Sequence, residues 1–430
     1  MGSEANPFHR NDGLSDDSRA YETETKRLTN ADYAGSFKAR EGNGSTLARK
    51  ADAPVRLAHL HSSNGIYGAE RWTAMQVKYL DADVVNPVVI TVGAKAGSEL
   101  FYKMLIQEGW DAEHIALSGK LNLRALIELR RILNRRRIQV LHTHGFKSDV
   151  MGYLATRGSN IKLVSTPHGW SGDEGARIRF YELVSRVFLR RFDRIYPVSV
   201  GLLEGLRERG FPERRLHLIV NAVDDAPFAD CFEARRSRRA DEPFNVLFVG
   251  RLCRPKGVFD LLEAFSQARF DCPVELRFIG AGVEEAALVA RCRELGMQTR
   301  VRFVGAVVDV VPHLVWSSVL VLPSYSEGIP RALMEACCAG VPVIGTAIPG
   351  IQVLIRDGVR GLLVGAGDIA SLARALERTA SDPAAAELMA KDAREYVMAR
   401  HGASRQARQF EQQYRALLLH DQSSVSSEAQ

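Results

Sequence analysis

The 430-residue sequence is long enough for two or three domains, at about 150 residues per domain. It has 57 Lys and Arg against 51 Asp and Glu, a formal charge of +6, and 8% of its residues are aromatic. So small a positive charge is not that of a nucleic-acid-binding protein. The six cysteines form no CxxC pair, and no apolar run approaches the roughly 18 residues of a membrane span. We therefore expect a cytoplasmic protein with reduced thiols.

The first half of the chain has a repeating pattern that begins near Pro54. Residues 1–50 are polar and lack the apolar segment of a signal peptide, and they predict a disordered tail. From there on we predict strands at 55–61, 85–93, 138–145, 161–169, 194–200 and 215–223, and helices at 69–80, 123–137 and 177–191. These elements form a first domain over residues 51–235.

The pattern is interrupted at residues 225–243, which are polar and strand-poor and make the best linker candidate. It restarts over 243–401, with strands at 244–252, 274–282, 301–307, 319–324 and 341–346 and helices at 258–268, 284–295 and 330–340. A helix at about 402–419 is expected to pack back on the first domain, and 420–430 are expected to form a tail. This alternation predicts an α/β protein with two Rossmann-like, doubly wound parallel sheets that face an interdomain ligand cleft.

One segment of the second half combines acidic residues with a helix start. SYSEGIPRALMEA, Ser324–Ala336, follows an apolar strand, and Pro330 fits the first turn of a helix. The unpaired N–H groups of that turn suit an anion such as phosphate. Glu327 precedes the helix and Glu335 lies about 7.5 Å along it, so one carboxylate can reach each side of a bound phosphate.

A second segment, GRLCRPKG at Gly250–Gly257, places Arg251 and Lys256 in a strand-to-helix loop that has glycine at both ends. Two cations and a closely approaching backbone suit a diphosphate. Each segment taken alone also fits an ordinary solvated loop or a helix-capping acid.

Two histidine pairs stand out in the first half. His59/His61 and His142/His144 have the i, i+2 spacing that puts both rings of a pair on one face of a strand. No Cys or acidic cluster at ligand spacing accompanies them, so we predict no metal site. His144 and Lys147 are expected to line the first domain's side of the cleft instead.

Arginine-rich helices are predicted at 123–137 and at Gly175–Arg194. Apolar residues at steps of three and four in the second helix fit a core-facing stripe with a solvated basic face. Contact with an anionic membrane surface is the equal alternative.

Together these segments resemble the retaining, GT-B-fold glycosyltransferases of family 4, the group 1 glycosyltransferases. The family's G-R-L-x(3)-K-G loop stands at Gly250–Gly257 and its E-G-x-P-x(4)-E-A motif at Glu327–Ala336. Shorter matches stand at 61–72, 166–170, 217–224, 280–282, 301–305, 340–343 and 357–364. The resemblance covers about Val55 to Leu419.

The resemblance implies roles for individual residues. Arg251 and Lys256 would neutralise the donor diphosphate, Glu335 would hold the ribose hydroxyls, and Glu327 would contact the transferred sugar. His168 is implied as a catalytic residue beside that sugar, and further donor contacts are implied at Gly68, Gly305, Gly328, Ile329 and Pro330. The family binds the acceptor with its first domain, which puts His144 and Lys147 on the acceptor side of the cleft. The family's G-G-x-x-E reads Pro349-Gly350-Ile351-Gln352 here, which changes the donor-sugar contacts near Gly350.

The function expected from the resemblance is transfer of a hexose from a UDP- or GDP-sugar, with retention and without a metal or cofactor. The acceptor would be a glycan or a lipid-linked molecule of cell-surface polysaccharide or glycolipid biosynthesis, met at the inner face of the plasma membrane. A dehydrogenase is disfavoured because GAGVEE, from Gly280, has Glu285 where the dinucleotide fingerprint needs glycine. A nucleotide-sugar epimerase of the same fold and a non-catalytic nucleotide-sugar-binding protein are the alternatives.

Overall fold

The computed structural model describes residues 53–62, 68–93, 97–117, 123–167, 187–236, 243–307 and 309–427. The predicted N-terminal tail and His168 lie outside these residues. The described chain divides into two compact units. The N-terminal unit consists of residues 53–224 and 401–427, and the C-terminal unit consists of residues 225–400.

The described part of the N-terminal unit contains a six-stranded parallel sheet of order β3-β2-β1-β4-β5-β6. Its strands are β1 Val55–His61, β2 Val85–Gly93, β3 Ala112–Ala116, β4 Val140–His144, β5 Lys162–Ser165 and β6 Arg194–Ile195. Its helices are α1 Gly68–Tyr79, α2 Gly97–Gln107, α3 Leu123–Arg135, α4 Phe146–Thr156 and α5 Val200–Glu208, with a 3-10 turn at Glu213–Arg215. Helices α2, α4 and α5 and strand β3 were not among the predicted elements.

The predicted strand at 215–223 is wrong. Leu216 makes only an isolated bridge to Ile195. Two backbone hydrogen bonds extend this contact: the His217 N–H donates to the Ile195 carbonyl (3.0 Å), and the Ile219 N–H donates to the Pro197 carbonyl (3.1 Å). Pro197 has no N–H to donate in return, so a reciprocal parallel ladder cannot continue past β6.

A C-terminal helix, Ala403–Ser427, completes the core of the N-terminal unit. Its Phe410 and Tyr414 are fully buried against Trp72 and Tyr196. Where a tail was predicted from residue 420, the helix continues to Ser427.

The described part of the C-terminal unit has the same topology, with a six-stranded parallel sheet of order β12-β11-β10-β7-β8-β9. Its strands are β7 Phe244–Val249, β8 Val274–Ile279, β9 Val301–Gly305, β10 Val319–Leu322, β11 Val343–Thr346 and β12 Leu362–Val364. Its helices are α6 Ala229–Arg236, α7 Val258–Gln267, α8 Glu285–Glu294, α9 Val311–Trp316, α10 Arg331–Cys338, α11 Pro349–Gln352, α12 Ile369–Ser381 and α13 Pro383–His401, with 3-10 turns at Ala226–Phe228 and Arg254–Lys256.

The predicted linker at 225–243 is also largely wrong, because its first part is a 3-10 turn followed by α6. Phe232 packs so closely on Gly340 that a Cβ there would lie 2.4 Å from its ring, and the Arg235 guanidinium donates to the Leu314 carbonyl (2.9 Å). These contacts attach residues 225–236 to the C-terminal unit.

In both sheets the strand order reverses next to the first strand, between β1 and β4 and between β7 and β10. Ligands of doubly wound sheets bind outside the carboxyl ends of the strands at such reversals. No helix in the described residues has both the length and the apolar character needed to cross a membrane.

Candidate active site

An ion pair lies at the carboxyl ends of β7 and β10, where the strand order of the C-terminal sheet reverses. The Lys256 ammonium, from the loop after β7, lies 2.5 Å from Oε1 of Glu327, in the loop after β10. The Ser324 hydroxyl donates to the same oxygen at 2.7 Å, and Ser324 is fully buried. Two of the predicted site residues are therefore in direct contact, and Ser324 is a third partner that the sequence analysis missed.

Close packing of the two loops brings this pair together. Gly257 has the left-handed φ of 67°, and a Cβ there would lie 2.0 Å from the Pro323 carbonyl oxygen. The Tyr325 N–H donates to the Pro255 carbonyl at 2.9 Å. Because only glycine can occupy this position without strain, the glycine after Lys256 fixes the lysine loop against the glutamate loop.

A second close approach holds the glutamate loop from its other side. A Cβ on Gly350 would lie 2.2 Å from the Gly328 carbonyl oxygen and 2.3 Å from that of Glu327. Gly350 matches the second glycine of the family's G-G-x-x-E motif, whose first glycine is Pro349 here, and it packs directly against the backbone of Glu327 and Gly328.

Helix α10 begins immediately after the glutamate loop. Pro330 was predicted in the first turn of this helix, but it is the N-cap residue, with φ −74° and ψ 121°, and the helix starts one residue later, at Arg331. Its carbonyl accepts the first helical bond, from the Met334 N–H at 3.2 Å. Glu335 lies on α10 and accepts a hydrogen bond from Arg331 at 3.1 Å, a partner that the i, i+4 spacing could have indicated.

The other predicted donor residues lie around this edge. Arg251 is exposed, and within the described chain its side chain has no hydrogen-bond or ion-pair partner. Gly328 is exposed, whereas Ile329 is buried beneath the loop. Gly305 ends β9 with φ 82°, and its carbonyl accepts from the Gly280 N–H at 2.8 Å. The edge thus combines a paired lysine, an unpaired arginine and a helix start.

In the N-terminal unit, the corresponding strand reversal carries a stack of four histidines. The register of β1 and β4 sets His59 beside His142 and His61 beside His144, an alignment that the spacing within each pair did not predict. The rings of His61 and His144 are stacked, with centroids 4.4 Å apart and planes 9° from parallel. All four rings are buried, so His144 is largely shielded from solvent at the position proposed for acceptor contact.

Most ring nitrogens of this stack are used in hydrogen bonds, whereas Nε2 of His59 and Nδ1 of His61 are buried without a hydrogen-bond partner in the described chain. Nδ1 of His59 shares one with Nε2 of His144 at 3.0 Å. His142 bonds the Tyr414 hydroxyl at 2.7 Å through Nδ1 and the Thr166 hydroxyl at 2.8 Å through Nε2. Burial, and next the charge of His61, lower the pKa of His59 to about 3, so this ring is neutral at physiological pH.

Three of these rings are the residues most able to hold a metal. One nitrogen each from His59, His142 and His144 lie within 4.8 Å of one another. Nitrogens on a tetrahedral zinc are only about 3.3 Å apart, and both nitrogens of His142 already have partners. A metal would have to break these bonds and separate the stacked rings, and the absence of a metal site stays a prediction.

A buried carboxyl group adjoins the stack. Glu70, in the first turn of α1, is 3% exposed, and its Oε1 lies 3.5 Å from Nδ1 of His61. Nε2 of the same histidine bonds the Thr73 hydroxyl at 2.8 Å. From the sequence Glu70 could be read simply as a first-turn helix acid, and its burial is a finding of the structure.

The remaining predicted residues of this unit are not brought to the stack by any described contact. Gly68 is exposed at the start of α1, and Lys147 is exposed, with its ammonium 5.9 Å from the centre of the Phe146 ring.

The basic surface predicted for residues 123–137 is largely paired with acids. Arg135 and Arg136 bind Glu113 at 2.7 and 2.9 Å, and Arg136 also binds Asp111 at 2.6 Å. In the second arginine-rich segment, of which only residues from 187 onwards are described, Arg190 lies over the Phe211 ring and Arg191 reaches the Tyr153 hydroxyl. Much of the expected free positive charge is therefore already used within the fold.

Two doubly wound sheets of identical strand order in one chain are the architecture of GT-B glycosyltransferases. The structure of Anabaena Alr3699/HepE in complex with UDP and glucose has this fold and matches with a TM-score of 0.72, over 84% of this chain and 100% of that one, at 20% identity. A sucrose-phosphate synthase of Thermosynechococcus elongatus matches with a TM-score of 0.69, over 85% of this chain and 100% of that one, at 23% identity.

The chain belongs to the group 1 glycosyltransferases. Residues 232–396 match the family model described as glycosyl transferases group 1, and residues 66–226 match that of glycosyltransferase family 4. The chain is 25% identical over 296 residues to the N-acetyl-alpha-D-glucosaminyl L-malate synthase of Bacillus anthracis, covering 67% of this chain and 78% of the relative. It is 24% identical over 296 residues to the UDP-Gal:alpha-D-GlcNAc-diphosphoundecaprenol alpha-1,3-galactosyltransferase of Escherichia coli, covering 64% and 75%. The protein is thus an enzyme that transfers sugars.

Proposed function

We propose that the protein transfers a hexose from a UDP- or GDP-sugar, with retention and without a metal, to a glycan or lipid-linked acceptor. The observation that carries the proposal is the Lys256–Glu327 pair beside the start of α10. Such a site offers one cation, one carboxylate and, four residues after the carboxylate, the first N–H groups of a helix. A sugar bound through a diphosphate needs all three kinds of group.

Fixed positive charge is what the chemical step requires. Breaking the bond between the sugar and the diphosphate leaves negative charge on the leaving group, and preorganised cations stabilise that charge as it develops. The Lys256 side chain is only 20% exposed and is held in place by Glu327. Arg251 is free to turn toward the diphosphate, and the first N–H groups of α10 add a further positive potential.

The two carboxylates would then recognise the rest of the donor. Glu327 would accept a hydrogen bond from a hydroxyl of the transferred sugar while its Oε1 keeps Lys256 in place. Glu335, whose side chain is 14% exposed, would accept bonds from the ribose hydroxyls through the oxygen that Arg331 leaves open. We assign the catalytic position beside the sugar to His168, which lies outside the described residues.

We further propose that the acceptor is lipid-linked or a cell-surface glycan and is bound by the N-terminal unit, near His144 and Lys147. The name of the Escherichia coli relative gives its acceptor as a diphosphoundecaprenol-linked sugar. Helix α3 also exposes apolar side chains one turn apart, with Leu123 71% and Ile127 45% exposed, followed by the exposed Arg130. An apolar and basic face of this kind supports contact with an anionic membrane at the inner leaflet.

Thermal melting with UDP-, GDP- and ADP-sugars tests the donor proposal. A ligand that binds only the folded state raises the melting temperature. We expect one UDP- or GDP-sugar to raise it in the wild type and to lose most of that effect in Lys256→Ala. If no nucleotide sugar raises the melting temperature, or if Lys256→Ala responds like the wild type, the proposed donor site is wrong.

Co-sedimentation with vesicles tests the membrane proposal separately. We expect binding to phosphatidylglycerol vesicles that weakens with added salt and falls in a Leu123→Ser, Ile127→Ser variant. Equal sedimentation with neutral and anionic vesicles at low salt would contradict it.

A further inference from the structure

A cavity of about 450 Å³ opens at the amino-terminal edge of the N-terminal sheet. It lies between the end of α3, the residues that lead into β1, β4 and β5, and the C-terminal helix. Leu133, Ile138 and Leu418 form its apolar floor, and Arg56, Arg137 and Asn160 are among the polar groups around it. From Arg56 to His61, at the other end of β1, is roughly 16 Å along the strand, so the cavity is separate from the histidine stack.

Arg137 has an unusual backbone conformation at this cavity. Its φ is 52°, and it is the only described residue other than glycine with a positive φ. It follows α3 in the position where glycine normally ends a helix, since its N–H donates to Asn134 (3.0 Å) and the next N–H, of Ile138, donates to Leu133 (2.9 Å). An arginine is strained in this conformation, which glycine adopts without strain, so ending the helix does not by itself call for an arginine.

The charges beside the cavity are unequally compensated. Arg135 and Arg136, the two residues before Arg137, are paired with Glu113, and Arg136 also with Asp111. Within the described chain, Arg137 has no acidic partner. Arg56 donates from Nε to the Arg137 carbonyl at 2.6 Å, which ties the two arginines together and leaves its outer nitrogens without a described partner. The residues that line the cavity include no carboxylate.

We propose that this cavity binds the phosphate group of an anionic ligand whose apolar part lies on the floor. Guanidinium groups bind phosphate oxygens through paired N–H donors, and two of them at one cavity suit a single phosphate. Asn160 at the same cavity adds a short polar side chain that can donate to it, whereas the Ser159 hydroxyl already donates to the Thr156 carbonyl at 2.7 Å. A bound phosphate also relieves the repulsion between the two arginines. The ligand is a soluble phosphorylated metabolite or a phospholipid headgroup, and both present the same chemistry.

Calorimetric titration with inorganic phosphate at fixed ionic strength tests the site on full-length protein. All proteins carry Lys256→Ala, so that phosphate binding at the donor loop is suppressed. We expect Arg137→Gly and Arg56→Gln each to raise the dissociation constant of phosphate about tenfold or more. Arg131→Gln is the matched control: Arg131 is an exposed arginine of the same helix, paired with Glu128 and outside the cavity, so its variant should bind as the parent does.

Melting temperature separates a lost site from a damaged fold. Arg137→Gly relieves the strained φ, so it should melt at the same temperature as the parent or higher while binding phosphate more weakly. Phosphatidylglycerol vesicles, with phosphatidylcholine as the neutral control, distinguish the sources. Arg137-dependent binding to the vesicles identifies a lipid headgroup, and Arg137-dependent binding to free phosphate alone identifies a soluble metabolite. If neither probe binds, or if binding survives both arginine substitutions, the proposal is wrong.

Discussion

Gly350→Ala should greatly reduce the activity of the enzyme, although glycine has no side chain that could take part in the reaction. The new Cβ would lie 2.2 Å from the Gly328 carbonyl oxygen and 2.3 Å from that of Glu327, whereas real Cβ contacts are essentially never under 3.0 Å. The backbone that carries Glu327 must therefore move by about 0.8 Å or more, and a displacement near 1 Å from the productive geometry can cost 10²-fold in rate. We expect kcat/KM for the nucleotide sugar to fall about 10²-fold, and the free energy of unfolding to fall by about 1–3 kcal/mol.

Gly365→Ala is the matched control in the same unit. Its Cβ would meet only the Asp368 Cβ, at 3.5 Å, which is an ordinary contact. Kinetics by release of nucleoside diphosphate and unfolding in urea would be measured for both variants. If Gly350→Ala folds and keeps at least half of the wild-type kcat/KM, the position of Glu327 does not control turnover and the reasoning is refuted.

Three further predictions concern charge, metal and pH. Arg251→Ala should lower kcat/KM about 10²-fold with little effect on the melting temperature, because the exposed guanidinium acts on the leaving diphosphate; near-normal kinetics would remove this role. Turnover should survive EDTA, and loss of activity that manganese restores would contradict the metal-free proposal. Since His59 has a pKa of about 3 in the folded protein and 6.5 when unfolded, only the unfolded state takes up this proton between those values. Stability should therefore fall by about 1.4 kcal/mol per unit as the pH drops below 6.5, and His59→Asn should have a smaller slope in pH-dependent urea unfolding; equal slopes would show that this ring does not set the acid sensitivity.

The alternating strands and helices were predictable because parallel strands buried on both faces are short apolar runs that need no tertiary information to recognise. Two of the misplaced elements have identifiable causes. The run at 215–223 is apolar and lies beside residues 195–198, but Pro197 has no N–H to donate back, so the two segments do not form a continuous β-ladder. The segment at 229–236 is polar, but it forms a helix because Phe232 and Arg235 have partners at Gly340 and Leu314, about 80 to 110 residues away.

Part of the candidate site was also predictable from local sequence patterns. Lys256 and Glu327 follow strands at points where ligand binding is expected, so their positions, together with the family resemblance, indicated them. The bond from Ser324 to Glu327 and the packing of Gly350 on the glutamate loop depend on how separate loops approach one another. The burial of Glu70 depends on how helix α1 packs in the fold. No local sequence pattern encodes these approaches. The i, i+2 spacing indicated that the histidines of each pair share a face, but the register of β1 and β4 was needed to bring the two pairs together.

The central claim is that a nucleotide diphosphate sugar is cleaved beside Lys256. Release of nucleoside diphosphate from the sugar nucleotide that stabilises the wild type, with water or an added glycan as acceptor, tests it most directly. We predict that Lys256→Ala lowers this rate at least 10²-fold. Lys103→Ala, which removes an exposed lysine of the other unit paired with Glu99, should leave the rate unchanged. Release by Lys256→Ala at the wild-type rate would contradict the account.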